Sequence, residues 1–339
     1  MPLITLSSPH SAKPTKISTV MGTVLLCMIP GFIALTVFFS YGYLINLALA
    51  VVTALLLEAG SLALRKRPIK FFITDLSVVV TAALLAASLP PFAPWWITVV
   101  GTATAVLFGK HIFGGMGQNP FNPAMLAYAL LLVSFPVQMT TNWPVVDVYV
   151  SIGDTLRAIF AGNVVDGWVG ATPLDYYKLN LATQTADEIL ASSLFNGWLP
   201  AGWVWVSLAW LAGGLVLIWR RIITWHLPVS MIATLALLSL VFGIDSDSFT
   251  PASIHLLAGA TMLGAFFIIT DPVSCATSNR GKLVFGAGVG VLTYVIRTWG
   301  NYPDAIAFAT LLMNFAAPFI DHYTKPRTYG HTKAHKGHK

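Results

Sequence analysis

The sequence predicts an all-α, polytopic membrane protein of about ten transmembrane helices, arranged as two inverted five-helix repeats. Three observations favour this fold class: an apolar composition, a series of apolar windows, and a similarity between the two halves of the chain. Hydrophobic residues make up 56% of the 339 residues and charged residues only 9%, and the mean hydropathy is +0.75. Because so few polar residues cannot cover a single soluble core, lipid is the expected solvent.

Apolar windows of roughly 17 to 25 residues are long enough to cross the hydrocarbon core of a bilayer. They occur at 20–39, 44–64, 73–89, 95–109, 122–138, 200–219, 226–243, 251–269, 283–299 and 303–320. The windows divide the chain into a first five-helix half, a long connecting segment, a second five-helix half and a tail, at 1–138, 139–199, 200–320 and 321–339.

The distribution of basic residues predicts the orientation in the membrane. If the N-terminus is cytoplasmic, then of the 19 basic residues only Arg157, Lys178 and Arg297 lie on the outer side. Basic residues collect on the cytoplasmic side of membrane proteins. We therefore expect both termini to be cytoplasmic and the segment 139–199 to be periplasmic.

The two halves of the chain share a sequence pattern. The stretch from Asn122 to Leu132 aligns with the stretch from Tyr302 to Leu312, and Pro91 aligns with Pro272. Windows three to five therefore recur as windows eight to ten. Because five spans, an odd number, separate the copies, the repeats are expected to have opposite orientations.

The connecting segment carries the first candidate site, the motif Asp166-x-x-x-Gly170-Ala171-Thr172. Thr172 offers a hydroxyl that a phosphate can esterify, and the following Pro173 favours an extended backbone that displays it. Gly170 and Ala171 leave room for a bulky group. An ordinary loop threonine is the alternative. A second Gly-Ala-Thr, at 259–261, lies inside the eighth window, where no modifying enzyme could reach it.

The segment 114–124 is the second candidate site, at the inner end of the fifth window. Its three glycines permit close approach of a planar ligand, and its two prolines interrupt the helix and free backbone groups for binding. The alternative is a plain interhelical turn. Asp271, in another inner segment at 270–282 that is the repeat's counterpart of the end of the third window, could exchange a proton or could only cap a helix end.

The motif at Thr172, the segment around Asn119 and Asn122, and the stretch from Thr270 to Tyr329 resemble the D subunit of the Rnf complex. The B subunit of the sodium-pumping quinone reductase shares every one of these motifs. The likeness covers nearly the full chain. It implies that a flavin transferase esterifies FMN to Thr172, that riboflavin binds noncovalently beside Asn119 and Asn122, and that the protein lies in the bacterial inner membrane.

The resemblance also implies the activity: one-electron transfer that couples NADH and ferredoxin to ion translocation, together with the A, B, C, E and G subunits of the Rnf complex. The chain has no NAD fingerprint, and Cys27 and Cys275 are too far apart to form a cluster motif. A secondary transporter or channel is an alternative, because inverted repeats suit it equally. The B subunit of the quinone reductase is another. Nucleic acid is excluded, because no basic, aromatic-rich polar face is visible.

Charged residues inside the predicted spans are few, and such groups are expensive in lipid unless they are paired or hydrated. Glu58 and Asp75 lie near inner span ends, and we expect them to pair with neighbouring basic residues, namely Arg65, Arg67 or Lys70. Arg297 lies near an outer end and is expected to extend its guanidinium towards the outer surface, the alternative being contact with a flavin phosphate.

Overall fold

The computed structural model describes residues 16–326 except positions 116, 147 and 303. This part of the chain is mostly helical. Its strands are two short pieces, β1 (Phe195–Asn196) and β2 (Leu199–Pro200), which pair antiparallel. The predicted helical fold class is confirmed at this level, whereas the ten spans and the inverted repeat stay predictions.

Among the described residues, the first half has seven α-helices, the fifth of which continues directly into a π-helix. In chain order these are α1 (Ile17–Phe38), α2 (Gly42–Leu64), α3 (Ile69–Ile73), α4 (Ser77–Ser88), α5 (Trp95–Ala103) with its π-helix Thr104–His111, α6 (Pro123–Ser134) and α7 (Pro136–Thr140). The Asn122 side chain caps α6 by accepting hydrogen bonds from the backbone N–H groups of Ala124 and Met125, and Pro123 occupies the first helical position.

The connecting segment is folded rather than irregular. It contains α8 (Ile152–Ala161), a 3-10 turn (Asp166–Trp168), α9 (Pro173–Asn180) and α10 (Ala186–Leu190). Leu174, Tyr177, Ile189 and Phe195 form a small apolar core together with Ile254 of the second half. The segment is therefore anchored to the helices that follow it.

The second half contains six α-helices, and its π-helix follows a short helical turn. These elements are α11 (Trp203–Trp219), α12 (His226–Phe242), α13 (Ala252–Leu257), α14 (Thr261–Leu263) with its π-helix Gly264–Ile268, α15 (Asn279–Trp299) and α16 (Ile306–Thr324). Within the described residues, α1 and α2 are long and apolar enough to cross a membrane by themselves, and α4, α6, α11 and α12 are shorter apolar helices.

The third and eighth windows are both broken. Between α3 and α4, Leu76 has a left-handed backbone with φ 63°, and between α13 and α14, Gly259 has φ 65°. Asp75 stabilises the first break by accepting a hydrogen bond from the backbone N–H of Ser77 at 2.7 Å. The expected pairing of Asp75 with basic residues is wrong for the described chain, because its carboxylate serves this turn. Irregular backbone inside a membrane span is tolerated only where the protein buries it or where it lines a cavity, and this would apply to both breaks in the predicted spans.

Small residues let the two halves pack closely. A Cβ atom on Gly31 of α1 would lie 2.5 Å from the Trp210 ring of α11, and one on Gly213 would overlap the Cys27 carbonyl oxygen. Helices in membranes associate through such small residues. The α1–α11 contact, together with the contact between α6 and α16, holds the halves around a shared core.

Candidate functional site

A cavity of about 70 Å³, which we call the outer cavity after the predicted orientation, lies between the connecting segment and the two halves of the bundle. Thr172 and Asp175 line it from the connecting segment, and Gly259 and Asp304 line it from the second half. Apolar and aromatic residues form much of the remaining wall, among them Tyr128, Leu132, Met139, Trp143, Trp203 and Trp210. The predicted acceptor threonine therefore borders a cavity that leads into the bundle.

Thr172 is the N-cap residue of α9. Its hydroxyl donates a hydrogen bond to Asp175 Oδ2 at 2.8 Å and accepts one from the Asp175 backbone N–H at 3.3 Å. Its φ and ψ angles of −68° and 156° are extended, as predicted for a residue before proline. The side chain is half-buried, so the hydroxyl is both a helix cap and a group at the cavity wall.

Two backbone hydrogen bonds fix the position of the motif. The Gly170 N–H donates to the Trp143 carbonyl at 2.9 Å, and the Val145 N–H donates to the Trp168 carbonyl at 3.1 Å. A Cβ atom on Gly170 would lie 2.9 Å from Val145 Cγ2, so glycine permits this close pairing. Ala171 is half-buried next to Thr172.

Asp166, the acidic residue of the predicted motif, is exposed at the start of the 3-10 turn. No hydrogen bond between its side chain and Thr172 is found in the described chain. The structure therefore leaves Asp166 exposed at the surface, away from the half-buried Thr172.

Burial shifts the pKa values of two ionisable side chains near Thr172, Asp175 and Lys178. Burial raises the pKa of the Asp175 carboxyl above its usual range, the hydrogen bond from Thr172 opposes this shift, and the nearby Asp304 adds to it. Burial also lowers the pKa of Lys178, whose ammonium donates to the Gly300 carbonyl. The Thr172 hydroxyl thus lies beside the Asp175 carboxyl group, whose charged form is disfavoured by burial.

The second Gly-Ala-Thr copy has a structural role. Thr261 is fully buried, which confirms its predicted inaccessibility. Arg297 is also buried and donates to the His255 carbonyl at 2.7 Å and to Thr261 Oγ1 at 3.0 Å. Its guanidinium pairs with Asp304 at 3.3 Å. The prediction that Arg297 extends outward is wrong, because these inward partners satisfy its charge.

An inner cavity of about 180 Å³ brings together the other predicted residues. Asn119 and Asn122 line it from the segment before α6, and Asp271 lines it from the segment after the π-helix Gly264–Ile268. Phe266 and Phe267 of that π-helix supply an aromatic part of its wall. Two segments that are far apart in the sequence therefore line one cavity.

The three residues are also part of the scaffold. Asn122 Nδ2 donates to the Ile268 carbonyl at 3.2 Å and so joins α6 to the π-helix, while Asn119 Nδ2 donates to the Phe121 carbonyl at 2.9 Å. Asp271 accepts from Ser274 Oγ at 2.8 Å and from the Val273 N–H at 3.3 Å. Asp271 therefore stabilises its own turn and does not cap a helix end, and it borders the cavity as well.

Asn314 of α16 is a further residue at this site. In the amide orientation that satisfies both polar atoms, its oxygen accepts from the Asn122 backbone N–H at 2.9 Å, and its nitrogen donates to the Ser274 carbonyl at 3.1 Å. Asn314 therefore links the two inner segments. It belongs to the family-like C-terminal stretch of the sequence, where no local pattern assigned it a role.

Sequence reasoning missed a buried ion pair beside the inner cavity. Lys110 Nζ donates to Glu58 Oε1 at 2.7 Å and to Ser77 Oγ at 3.1 Å, and His111 Nε2 lies 2.9 Å from Glu58 Oε2.

The prediction that Glu58 pairs with Arg65, Arg67 or Lys70 is wrong. The Glu58 side chain is buried, so it pairs with the basic side chains that the π-helix places beside it. A buried carboxylate needs such a partner, and that was the available signal.

Comparison with known proteins identifies the family. The profile of the NQR2, RnfD, RnfE family matches residues 4–330. The chain belongs to this family. Three relatives, each named as the D subunit of an ion-translocating oxidoreductase complex, show how far the similarity extends. The relative from Marinobacter nauticus is 53% identical over 343 residues, which cover 99% of this chain and 98% of the relative.

The relative from Pseudomonas aeruginosa is 55% identical over 338 residues, with 98% of this chain and 97% of the relative covered. The relative from Cellvibrio japonicus is 48% identical over 344 residues, with 98% and 96% covered. The similarity therefore extends over nearly the whole of each chain and is not confined to one motif. The resemblance predicted from the sequence is confirmed.

Proposed function

We propose that this chain is the D-type subunit of an Rnf-like complex and that it carries FMN in a phosphoester bond to Thr172. The observation that carries this proposal is the position of the Thr172 hydroxyl, half-buried at the wall of a cavity between the halves of a helical bundle. The second Gly-Ala-Thr serves as an internal comparison, because Thr261 is fully buried and bonded to Arg297. The names of the relatives support the assignment to a D-type subunit.

The residues around Thr172 fit a partly buried flavin. The lining contains the aromatic residues Tyr128, Trp143 and Trp203, whose faces suit a flat ring. Pockets that enclose a drug-sized ligand measure about 300–1,000 Å³, so a cavity of about 70 Å³ holds only part of FMN. We place the remainder on the outer surface, which suits a group that an external flavin transferase attaches.

The inner cavity is the proposed site of a second, noncovalent flavin, riboflavin, of which a cavity of about 180 Å³ encloses only part. Apolar walls with a few placed polar groups are typical of cofactor sites, and this cavity combines Phe266 and Phe267 with Asn119, Asn122 and Asp271. Asn122 is held by its hydrogen bonds to α6 and to Ile268, so it would support the cavity wall more than it would move to a ligand.

The proposed activity is transfer of single electrons through the membrane, coupled to ion translocation. Bound flavins supply the redox chemistry, and the residues of this chain position them and set their environment. The A, B, C, E and G subunits of the Rnf complex would supply the connection to NADH and ferredoxin. We place the chain in the bacterial inner membrane, in two inverted repeats, with both termini cytoplasmic and residues 139–199 periplasmic.

A secondary transporter is the second candidate, and the paired helix breaks favour it. The breaks at Leu76 and Gly259 interrupt corresponding windows of the two halves, and broken helices of this kind form substrate sites in transporters. A transporter has no need for an accessible Gly-Ala-Thr in a folded connecting segment. The state of Thr172 therefore discriminates between the two functions.

The test is expression of the full chain with a periplasmic flavin transferase, followed by a denaturing gel viewed for flavin fluorescence. Thr172→Val should lose the fluorescent band, because valine keeps the branched shape and removes the hydroxyl. Thr261→Ser is the matched control, since serine retains the hydroxyl that bonds Arg297, and its band should remain. A fluorescent Thr172→Val band, or a dark wild-type band with an active transferase, contradicts the proposal.

A further inference from the structure

We propose that Lys110 is a positioning residue of the inner cavity: its buried ammonium favours the reduced, more negatively charged form of a planar redox-active ring bound there. The inference rests on the proposed function, which supplies the ring. It adds a residue that neither the sequence motifs nor the family resemblance indicated. Adding one electron to the ring adds one negative charge, and Lys110 retains its proton, so no covalent bond forms or breaks.

The ion pair of Lys110 and Glu58 is deeply buried. Lys110 is 5% exposed and Glu58 is 1% exposed, and their charged atoms lie 2.7 Å apart. A buried pair of this kind is often no more stabilising than apolar residues of similar size, because desolvation offsets the attraction. Ionisable groups retained at membrane depth are functional candidates for that reason.

The geometry orients the pair towards the cavity. Lys110 and Ser77 line the inner cavity, whereas Glu58 is not among its lining residues. The positive end of the pair is thus the end nearer to a bound ligand. An ammonium has three hydrogen-bond donors, and Glu58 and Ser77 accept two of them. One donor therefore remains for a ligand.

The π-helix Thr104–His111 explains how this position is held. It ends with Lys110 and His111, and both side chains reach Glu58, at 2.7 and 2.9 Å. Single-turn π-helical distortions are frequent at functional sites. Glu58 thus fixes two adjacent side chains of the distorted helix and prevents Lys110 from turning away.

Asp271 is the opposing charge at the same cavity. Its two carboxylate oxygens accept hydrogen bonds from Ser274 and Val273, so its charge is directed into its own turn. Lys110 keeps one donor for a ligand, whereas the two hydrogen bonds of Asp271 hold its carboxylate in its own turn. The influence of Lys110 itself on a ligand is therefore expected to be that of a cation.

The experiment measures the midpoint potential of the noncovalent flavin in the full-length chain, in lipid nanodiscs and in a Thr172→Val background that removes the covalent flavin. In Lys110→Met the affinity for the reduced flavin relative to the oxidised flavin should fall at least tenfold, a shift of about 59 mV for one electron. Lys110→Arg should retain most of the wild-type potential, because the charge is kept.

Two further variants distinguish the effect of the lost charge on the potential from an effect on folding. The double variant Glu58→Gln/Lys110→Met leaves no unpaired buried carboxylate, and it should show the same lowered potential. Arg65→Gln removes an exposed cation that donates to the His111 carbonyl at 3.3 Å but lies outside the cavity lining, and it should leave the potential unchanged.

The outcomes distinguish a failure of the role assigned to Lys110 from a failure of the proposed inner flavin site. If flavin is bound and its potential is unchanged in both Lys110→Met variants, the role of Lys110 is wrong while the proposed cavity stands. If the chain with Lys110 intact binds no noncovalent flavin, the proposed inner flavin is wrong and the inference falls with it. A lowered potential in both variants, with Arg65→Gln unchanged, establishes the role.

Discussion

The two Gly-Ala-Thr tripeptides of this chain border the same outer cavity and have different environments. Thr172 is half-buried, caps α9 and donates to the side chain of Asp175. Thr261 is fully buried, donates to the His255 carbonyl at 2.7 Å and accepts from Arg297. Leu174, which follows the first copy, contacts the position where Gly259 would carry a Cβ atom.

The surroundings of each threonine, and not the tripeptide itself, determine the role of its hydroxyl. The first hydroxyl is half-buried and has one side-chain partner, Asp175. The second hydroxyl belongs to a network of Arg297, Asp304 and a broken helix end, and its loss would leave buried donors unsatisfied. We expect changes at the second copy to affect stability and changes at the first to affect modification.

The largest expected effect is that of Arg297→Met. This variant leaves Asp304 without its cation and removes two hydrogen bonds that hold the break before α14. Removing one partner of a buried ion pair costs about 3–5 kcal/mol. Thermal unfolding of the purified full chain in nanodiscs should show a large loss of stability.

The matched control is Arg157→Met. Arg157 pairs with Asp154 at 3.3 Å on the surface of α8, and its side chain is 74% exposed. Exposed pairs contribute about 0–1 kcal/mol, so this variant should unfold close to wild type. Equal losses in the two variants would contradict the structural role assigned to Arg297.

An intermediate effect is expected at the glycines of the two copies. Gly259 has φ +65°, and an added Cβ atom would lie 2.8 Å from Leu174 Cδ1. Gly259→Ala should therefore cost about 1–2 kcal/mol for the left-handed backbone alone. Gly170 does not have a positive φ, and its added Cβ atom meets only the side chain of Val145, so Gly170→Ala should cost less. Unfolding of both variants would measure the difference, and the reverse order would be inconsistent with it.

The apolar windows predicted the helices because length and composition are local properties. The breaks at Leu76 and Gly259 were not predicted within the third and eighth windows. Leucine gives no local signal for a left-handed backbone, and its conformation depends on the turn that Asp75 stabilises. The folded connecting segment was likewise predicted only as a long loop, since its core depends on contacts with Ile254.

The candidate site was predictable where it follows from a local motif. The Thr172 motif is one continuous stretch of sequence, and so is the segment that contains Asn119 and Asn122. Both could therefore be located from the sequence. The pairing of Glu58 with Lys110 joins residues 52 positions apart, and no local pattern reveals it. The N-cap role of Thr172 was visible in principle, because a threonine followed three residues later by an acidic residue is typical of helix starts.

The smallest expected effect concerns the acid beside Thr172 and depends on pH. Burial raises the pKa of Asp175 in the folded chain, so the folded state holds this proton more tightly than the unfolded state, where the ordinary pKa is about 3.9. The stability that this group contributes is present in full below that value and is lost as the pH rises through the folded pKa. At neutral pH the ionised Asp175 is therefore a cost.

Asp175→Asn should remove this cost while its amide oxygen still accepts the hydrogen bond from Thr172 Oγ1. The variant should gain stability relative to wild type as the pH rises from about 4 to neutrality, which melting temperatures of the full chain across that range would show. Asp175→Ala is the matched control: it removes the same charge but also the acceptor, so it should follow the same pH trend at lower stability. A difference between Asp175→Asn and wild type that is independent of pH would show that burial does not disfavour the charged form. Asp175 would then serve only as the hydrogen-bond partner of the N-cap residue Thr172.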